Sequence, residues 1–169
     1  MTNVDNLFSS ITNTVKAIDL ELKDTNNTGI FFAPELYTAF RIGQDITKNR
    51  KHIFGEQDIK WLREQSLENG GISDIVFEAS ERKIVFEVKI KSTGYSYEAD
   101  FTKLLKLPSS YERFFLVLMD SFEDKIDGRP GYLLSKMQEN IQIHLEEIIP
   151  TGYSSYKRIV NCHIHLFRI

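Results

Sequence analysis

The stretch Gly70–Ile90 reads G-G-I-S-D-I-V-F-E-A-S-E-R-K-I-V-F-E-V-K-I. Two alternating runs flank the polar break Ser80-Glu81-Arg82-Lys83, which is the pattern of a β-hairpin. A period of two sorts the side chains into faces. Ile75, Phe77, Ala79, Ile84, Phe86, Val88 and Ile90 share one greasy face. Asp74, Val76, Glu78, Val85, Glu87 and Lys89 share the other. If Ala79 pairs with Ile84, Asp74 stands opposite Lys89 and Val76 opposite Glu87. Sliding the register by two residues would keep the faces. In each case Asp74 comes close to both Glu87 and Lys89.

Upstream, Val4, Leu7, Phe8, Ile11, Val15, Ile18 and Leu22 recur at steps of three and four, predicting an amphipathic packing helix of about five turns. After the turn formers Thr25–Gly29, Pro34 suits the first position of a second helix. Glu35 follows in its first turn and lines up with Ala39, Ile42 and Ile46 on the apolar stripe. A carboxylate aimed inward is costly unless a cation or metal partners it. The other reading is a capping charge that bends out to solvent. Lys48-Asn49-Arg50-Lys51-His52 is the densest basic run, suited to phosphate or simply solvated. A further helix is expected from Glu56 to Glu68, burying Ile59, Leu62 and Leu67 and ending at Asn69-Gly70-Gly71.

Downstream of the hairpin, Tyr97, Phe101, Leu104 and Leu105 mark a helix stopped by Pro108. Phe114–Met119 is continuously apolar, as in a strand covered on both faces. Strand, helix, buried strand is the pattern of a parallel crossover. The stripe Leu134, Met137, Ile141, Leu145 and Ile148 predicts another helix, ended by Pro150. Val160, Cys162, Ile164 and Leu166 alternate with Asn161, His163, His165 and Phe167 in a terminal strand.

The chain has 169 residues, 41% hydrophobic and 27% charged, values of a soluble globular protein read as one domain, 1–169. No apolar run approaches the roughly 20 residues that span a bilayer, and the N-terminus lacks a secretion signal. The single cysteine, Cys162, excludes an internal disulfide and fits a reducing cytoplasm. A net charge of −3, from 21 basic and 24 acidic residues, weighs against a broad phosphate-binding surface. A cluster of acidic metal ligands would itself pull the balance down.

The chemistry lies in Glu35, Asp74, Glu87 and Lys89. Two like charges about 4 Å apart cost roughly 4 kcal/mol at an effective dielectric of 20. A hard divalent cation relieves such a cluster, and oxygen-only ligation suits Mg²⁺ or Mn²⁺. Mg²⁺ can polarise a phosphoryl oxygen and activate water, with Lys89 stabilising the charge that builds on phosphate. Glu-x-Lys alone means little, because the chain holds four such triplets. Only Glu87-Val88-Lys89 lies on an alternating apolar strand with an aspartate on the strand before it. A solvated face with cross-strand ion pairs, each worth under about 1 kcal/mol, is the bland alternative.

Glu35 on a helix, then G-I-S-D-I-V-F, then F-E-V-K-I on the next strand, resembles the PD-(D/E)XK nuclease superfamily. The likeness covers roughly Pro34 to Met119. It implies an α/β, restriction-endonuclease-like mixed sheet flanked by helices, here with an extra N-terminal helix and a C-terminal helix plus strand. It implies Asp74, Glu87 and Glu35 as metal-binding carboxylates and Lys89 as the catalytic lysine. The activity implied is Mg²⁺-dependent hydrolysis of nucleic acid, DNA first, with Mn²⁺ able to substitute and a homodimer suited to duplex cutting. Ser73 stands where the family name has proline. The family core also has a strand before the aspartate strand, for which Ile30-Phe31-Phe32 and His52-Ile53-Phe54 are the candidates.

Other constellations are weaker. His163 and His165 share a strand face without a third ligand nearby, so they read as structural. Lys103 and Lys106 lie off the apolar face of their helix, for phosphate or for water. Tyr95 and Tyr97 are suited to base stacking or to the core. Cys162 on an apolar face is a poor nucleophile. Two non-catalytic readings stand beside the nuclease: a nuclease-fold module that binds nucleic acid, and a protein-binding partner with a solvated hairpin face.

Overall fold

The longest apolar run, Phe114–Met119, lies inside an eleven-residue strand near the middle of the sheet, and the other elements are layered on its two faces. The computed structural model describes residues 2–55, 58–68, 71–79, 82–123, 127–152 and 158–169. The strands are β1 (Lys60–Ser66), β2 (Ile72–Glu78), β3 (Lys83–Ile90), β4 (Glu112–Phe122), β5 (Ile143–Pro150) and β6 (Val160–Arg168), in the order β1-β2-β3-β4-β6-β5. Only β3 and β4 run parallel; every other neighbouring pair is antiparallel. The helices are α1 (Val4–Asn26), α2 (Glu35–Lys48), α3 (Arg50–Phe54), α4 (Gly94–Leu105) and α5 (Arg129–Met137). The chain is therefore α/β, with a mixed six-stranded sheet and five α-helices among the described residues.

Alternation along β4 divides the core. Phe114, Leu116 and Leu118 join the stripes of α1 and α2, including Leu7, Ile11, Ile42 and Ile46. Phe115, Val117 and Met119 join α4 and α5 through Tyr97, Phe101, Leu133 and Met137. Burying a large apolar side chain contributes roughly 1.5–3 kcal/mol, so these two layers supply most of what holds the helices to the sheet. No helix among the described residues is long and apolar enough to cross a membrane.

The first helix, the crossover and the terminal strand follow their sequence patterns. Asn3 caps α1 by accepting from the Asn6 amide at 3.0 Å, and Asn27 ends it in a left-handed conformation. Thr93 caps α4 through the Ser96 amide, and α4 carries the chain from β3 to the parallel β4. Pro34 sits one residue earlier than its helix-start reading, as the N-cap of α2.

Three expectations are overturned. The helix expected from Glu56 to Glu68 is β1, with Glu56, Gln57 and the Asn69-Gly70 stop outside the described residues. An edge strand pairs on one side only, and the three-residue step from Ile59, just before the strand, to Leu62 mimics a helical one. Trp61 in fact packs toward one core and Leu62 toward the other, as strand neighbours do. This strand precedes the aspartate strand, whereas Ile30–Phe32 forms a 3-10 turn and His52–Phe54 belongs to α3.

The C-terminal helix stops at Met137, and Ile143–Pro150 is the second edge strand. Ile149 is buried while Ile148 is exposed, so the apparent helical stripe is a coincidence of spacing. The hairpin register is also two residues tighter than expected, although the turn residues Ser80 and Glu81 lie outside the described residues. Ala79 N–H donates to Arg82 O, and Phe77 pairs with Ile84. Asp74 is thus level with Glu87 instead of Lys89. The two faces survive the shift, as a period of two requires.

Candidate active site

The sheet forks at the hairpin. Pairing between β2 and β3 ends at Ile75 and Phe86. Beyond that point β2 stays with β1 as far as Ile72, while β3 stays with β4 as far as Ile90. The fork leaves alternate N–H groups of β3 without strand partners, a cost that buried backbone seldom carries. Two of the expected site residues take them up. Asp74 Oδ2 accepts from Val88 N–H at 2.8 Å, and Glu35 Oε2 accepts from Ile90 N–H at 3.0 Å.

Glu35 arrives from the first turn of α2, whose Ala39, Ile42 and Ile46 are buried against the sheet. Gly43 lets that helix close on β1: an added Cβ would stand 2.4 Å from Trp61 Cζ2. The inward reading of Glu35 agrees with this geometry, although its side chain stays about one-third exposed (37%). Its other oxygen lies 3.4 Å from Lys89 Nζ.

Lys89 also pairs with Asp100 of α4 at 3.0 Å. Burial pulls the Lys89 pKa down, but the carboxylates of Asp100 and Glu35 outweigh it and hold the ammonium above its ordinary value. Lys103, one helical turn after Asp100, places its ammonium 2.8 Å from Glu87 Oε1 and also donates to Ile72 O. Its stem lies over Gly71, where a Cβ would meet Lys103 Cε at 2.6 Å.

Glu87 is the most buried of the four, with its side chain 4% exposed. Burial pushes its pKa up to about 7; the charge of Asp74 adds to this, and Lys103 and Ser73 oppose it. Asp74 is also held above the ordinary carboxylate range. Burial is the main cause, the Val88 amide opposes it, and the Glu35 charge adds to it. The carboxylates therefore feel one another in sequence, Glu35 on Asp74 and Asp74 on Glu87. They do not close into a trio of ligand atoms within 4.8 Å.

The donor set nonetheless suits a hard divalent cation, because it is made of oxygens alone. Glu87 Oε1 is buried and has the Lys103 ammonium on one side at 2.8 Å. A buried carboxylate oxygen with spare lone pairs is a fitting metal ligand.

Asp100 and Lys103 were not legible as members of this group. Lys103 reads as solvated or phosphate-seeking, and only the laying of α4 across β3 turns it to Glu87. Tyr97 is fully buried and accepts from the Ser92 amide, whereas Tyr95 is exposed. The basic run Lys48–His52 begins at the far end of α2, about 20 Å from Glu35 at 1.5 Å per residue. It does not border the fork.

The strand histidines are arranged differently from expectation. His163 bonds Ser121 Oγ at 2.7 Å. His165 instead meets His144 and Glu146 of β5, a strand whose residue spacing mimics a helix. Comparison with protein families, with curated proteins and with solved structures found no match to this chain.

Proposed function

We propose that this chain is a divalent-metal-dependent nuclease of the PD-(D/E)XK type, with a restriction-endonuclease-like fold, acting on DNA phosphodiesters. The observation that carries the reading is the fork itself. Asp74, Glu87 and Lys89 border it on β2 and β3, and Glu35 enters from α2 to touch both Lys89 and the β3 backbone. A Mg²⁺ ion on Glu35, Asp74 and Glu87 would supply a polarised phosphoryl oxygen and an activated water, and Mn²⁺ would substitute. Lys89, kept charged by Asp100 and Glu35, offers its ammonium to the oxygens on which negative charge develops. Lys103 offsets part of the charge gathered at Glu87. Cutting both strands of a duplex calls for two such sites, which a homodimer would provide.

A second reading keeps the fold and drops the chemistry, leaving a module that binds nucleic acid or a protein. It is favoured by the backbone bonds that Asp74 and Glu35 already accept, and by the net charge of −3. Cleavage of supercoiled plasmid and labelled oligonucleotides with and without Mg²⁺ separates the two. The nuclease reading expects Mg²⁺-dependent cleavage that falls at least about a hundredfold in Lys89→Ala and Asp74→Asn, with circular dichroism unchanged. Cleavage equal to the parent's in Lys89→Ala would refute it. Absence of cleavage by the parent chain, with nucleic-acid binding intact, selects the module.

A further inference from the structure

A second cluster of ligand-type side chains sits on the β5–β6 ribbon, separated from the fork on β2 and β3 by β4 in the sheet order. Strand pairing sets Glu146 opposite His165 and His144 opposite Phe167, so all four side chains share one face. His144 stacks on Phe167 with ring centroids 4.5 Å apart and an interplanar angle of 12°. That contact fixes the ring before any ligand arrives.

The three ligand atoms form a triangle. His144 Nε2 lies 3.1 Å from His165 Nδ1, Glu146 Oε2 lies 3.5 Å from His165 Nδ1, and Glu146 Oε2 lies 3.9 Å from His144 Nε2. An ion with bonds of about 2.0–2.1 Å in tetrahedral geometry holds its ligand atoms about 3.4 Å apart. The observed edges bracket that length. The longest two involve Glu146, whose side chain is exposed and free to swing. Imidazole nitrogens with one carboxylate suit a borderline transition metal, not Mg²⁺.

We propose that His144, His165 and Glu146 form a Zn²⁺ site that ties the edge strand β5 to β6, with the fourth position open to solvent. The site is independent of the carboxylate fork and would stand or fall separately from the nuclease reading. His165 Nε2 has no hydrogen-bond partner among the described residues, so the polar contacts of that ring run through Nδ1, to His144 and Glu146.

The test is calorimetric titration of the full chain with Zn²⁺ in excess Mg²⁺, paired with Co²⁺ absorption and thermal unfolding. The expected result is one tight equivalent of Zn²⁺, visible ligand-field bands of low-coordinate Co²⁺ and a raised Tm. His144→Ala should weaken binding at least about tenfold and abolish the bands. Glu146→Gln, at an exposed position where folding is not at stake, should weaken it as well. Binding unchanged by both substitutions, or no Zn²⁺ binding in excess Mg²⁺, overturns the proposal.

Discussion

Replacing Glu87 with glutamine removes a buried charge while keeping the shape that holds it. In the folded chain the Glu87 pKa rises from 4.5 to about 7, chiefly through burial. Between those two values the folded state binds more protons than the unfolded one, so stability falls as pH rises through the window. At about 1.4 kcal/mol per pH unit, the ionised carboxylate costs the fold up to about 3 kcal/mol above pH 7. The side chain is only 4% exposed, so solvent screening trims this little, and the opposing Lys103 ion pair is already contained in the raised pKa. Glu87→Gln should therefore stabilise the chain by about 2–3 kcal/mol at pH 8 and hardly at all at pH 4.5. Urea unfolding in the presence of chelator, at both pH values, measures the difference. His165 titrates with the opposite sign, being depressed from 6.5 to about 4, but it is present in both chains and cancels. An equal effect at pH 4.5 and pH 8, or destabilisation at pH 8, would refute the view of Glu87 as a carboxylate held against its solvation.

Two further outcomes follow from the same geometry. Lys103→Met strips Glu87 of its nearest cation and should cost about 1–3 kcal/mol at pH 8, fading toward pH 5 as Glu87 takes up a proton; a loss independent of pH would deny the pairing. Gly43→Ala would gain about 1 kcal/mol in an ordinary helix. Here the new methyl meets Trp61, whose ring also lies 5.4 Å from that of Phe40. The expected result is a net loss of about 1–2 kcal/mol with a shift in Trp61 fluorescence, and stabilisation would contradict the packing.

Legibility in the sequence followed the number of neighbours each element has. β3 and β4 are flanked by strands and covered by helices, so their apolar runs and faces were unmistakable. β1 and β5 are edges that carry polar residues on both faces, and both mimic a helical stripe in the sequence. The site was legible as far as its residues lie on well-patterned elements. Glu35 follows from the stripe of α2, and Asp74, Glu87 and Lys89 from strand alternation. The fork was not legible, because nothing in the alternation of Ile72–Ile75 marks where β2 leaves β3. Asp100 and Lys103 depend on how a crossover helix lies over its strand, which helical periodicity alone does not fix. His144 and Glu146 were lost with β5.

The fork places two unlike demands on the same oxygens. Asp74 and Glu35 complete the backbone bonding of β3 at Val88 and Ile90, and asparagine or glutamine would serve those amides nearly as well. A carboxylate would serve a cation far better than an amide, because it adds a negative charge to the ligand oxygen. A relative with no use for a cation would feel continued pressure to keep an acceptor at both places, and amides would be the first drift allowed. Among the described residues the Lys89 ammonium answers only to side chains, Glu35 and Asp100, and holds no backbone group. Across related chains, therefore, retention of acid over amide at positions 74 and 35, together with Lys89, would record selection for catalysis, while the bare presence of an acceptor would record selection for the fold.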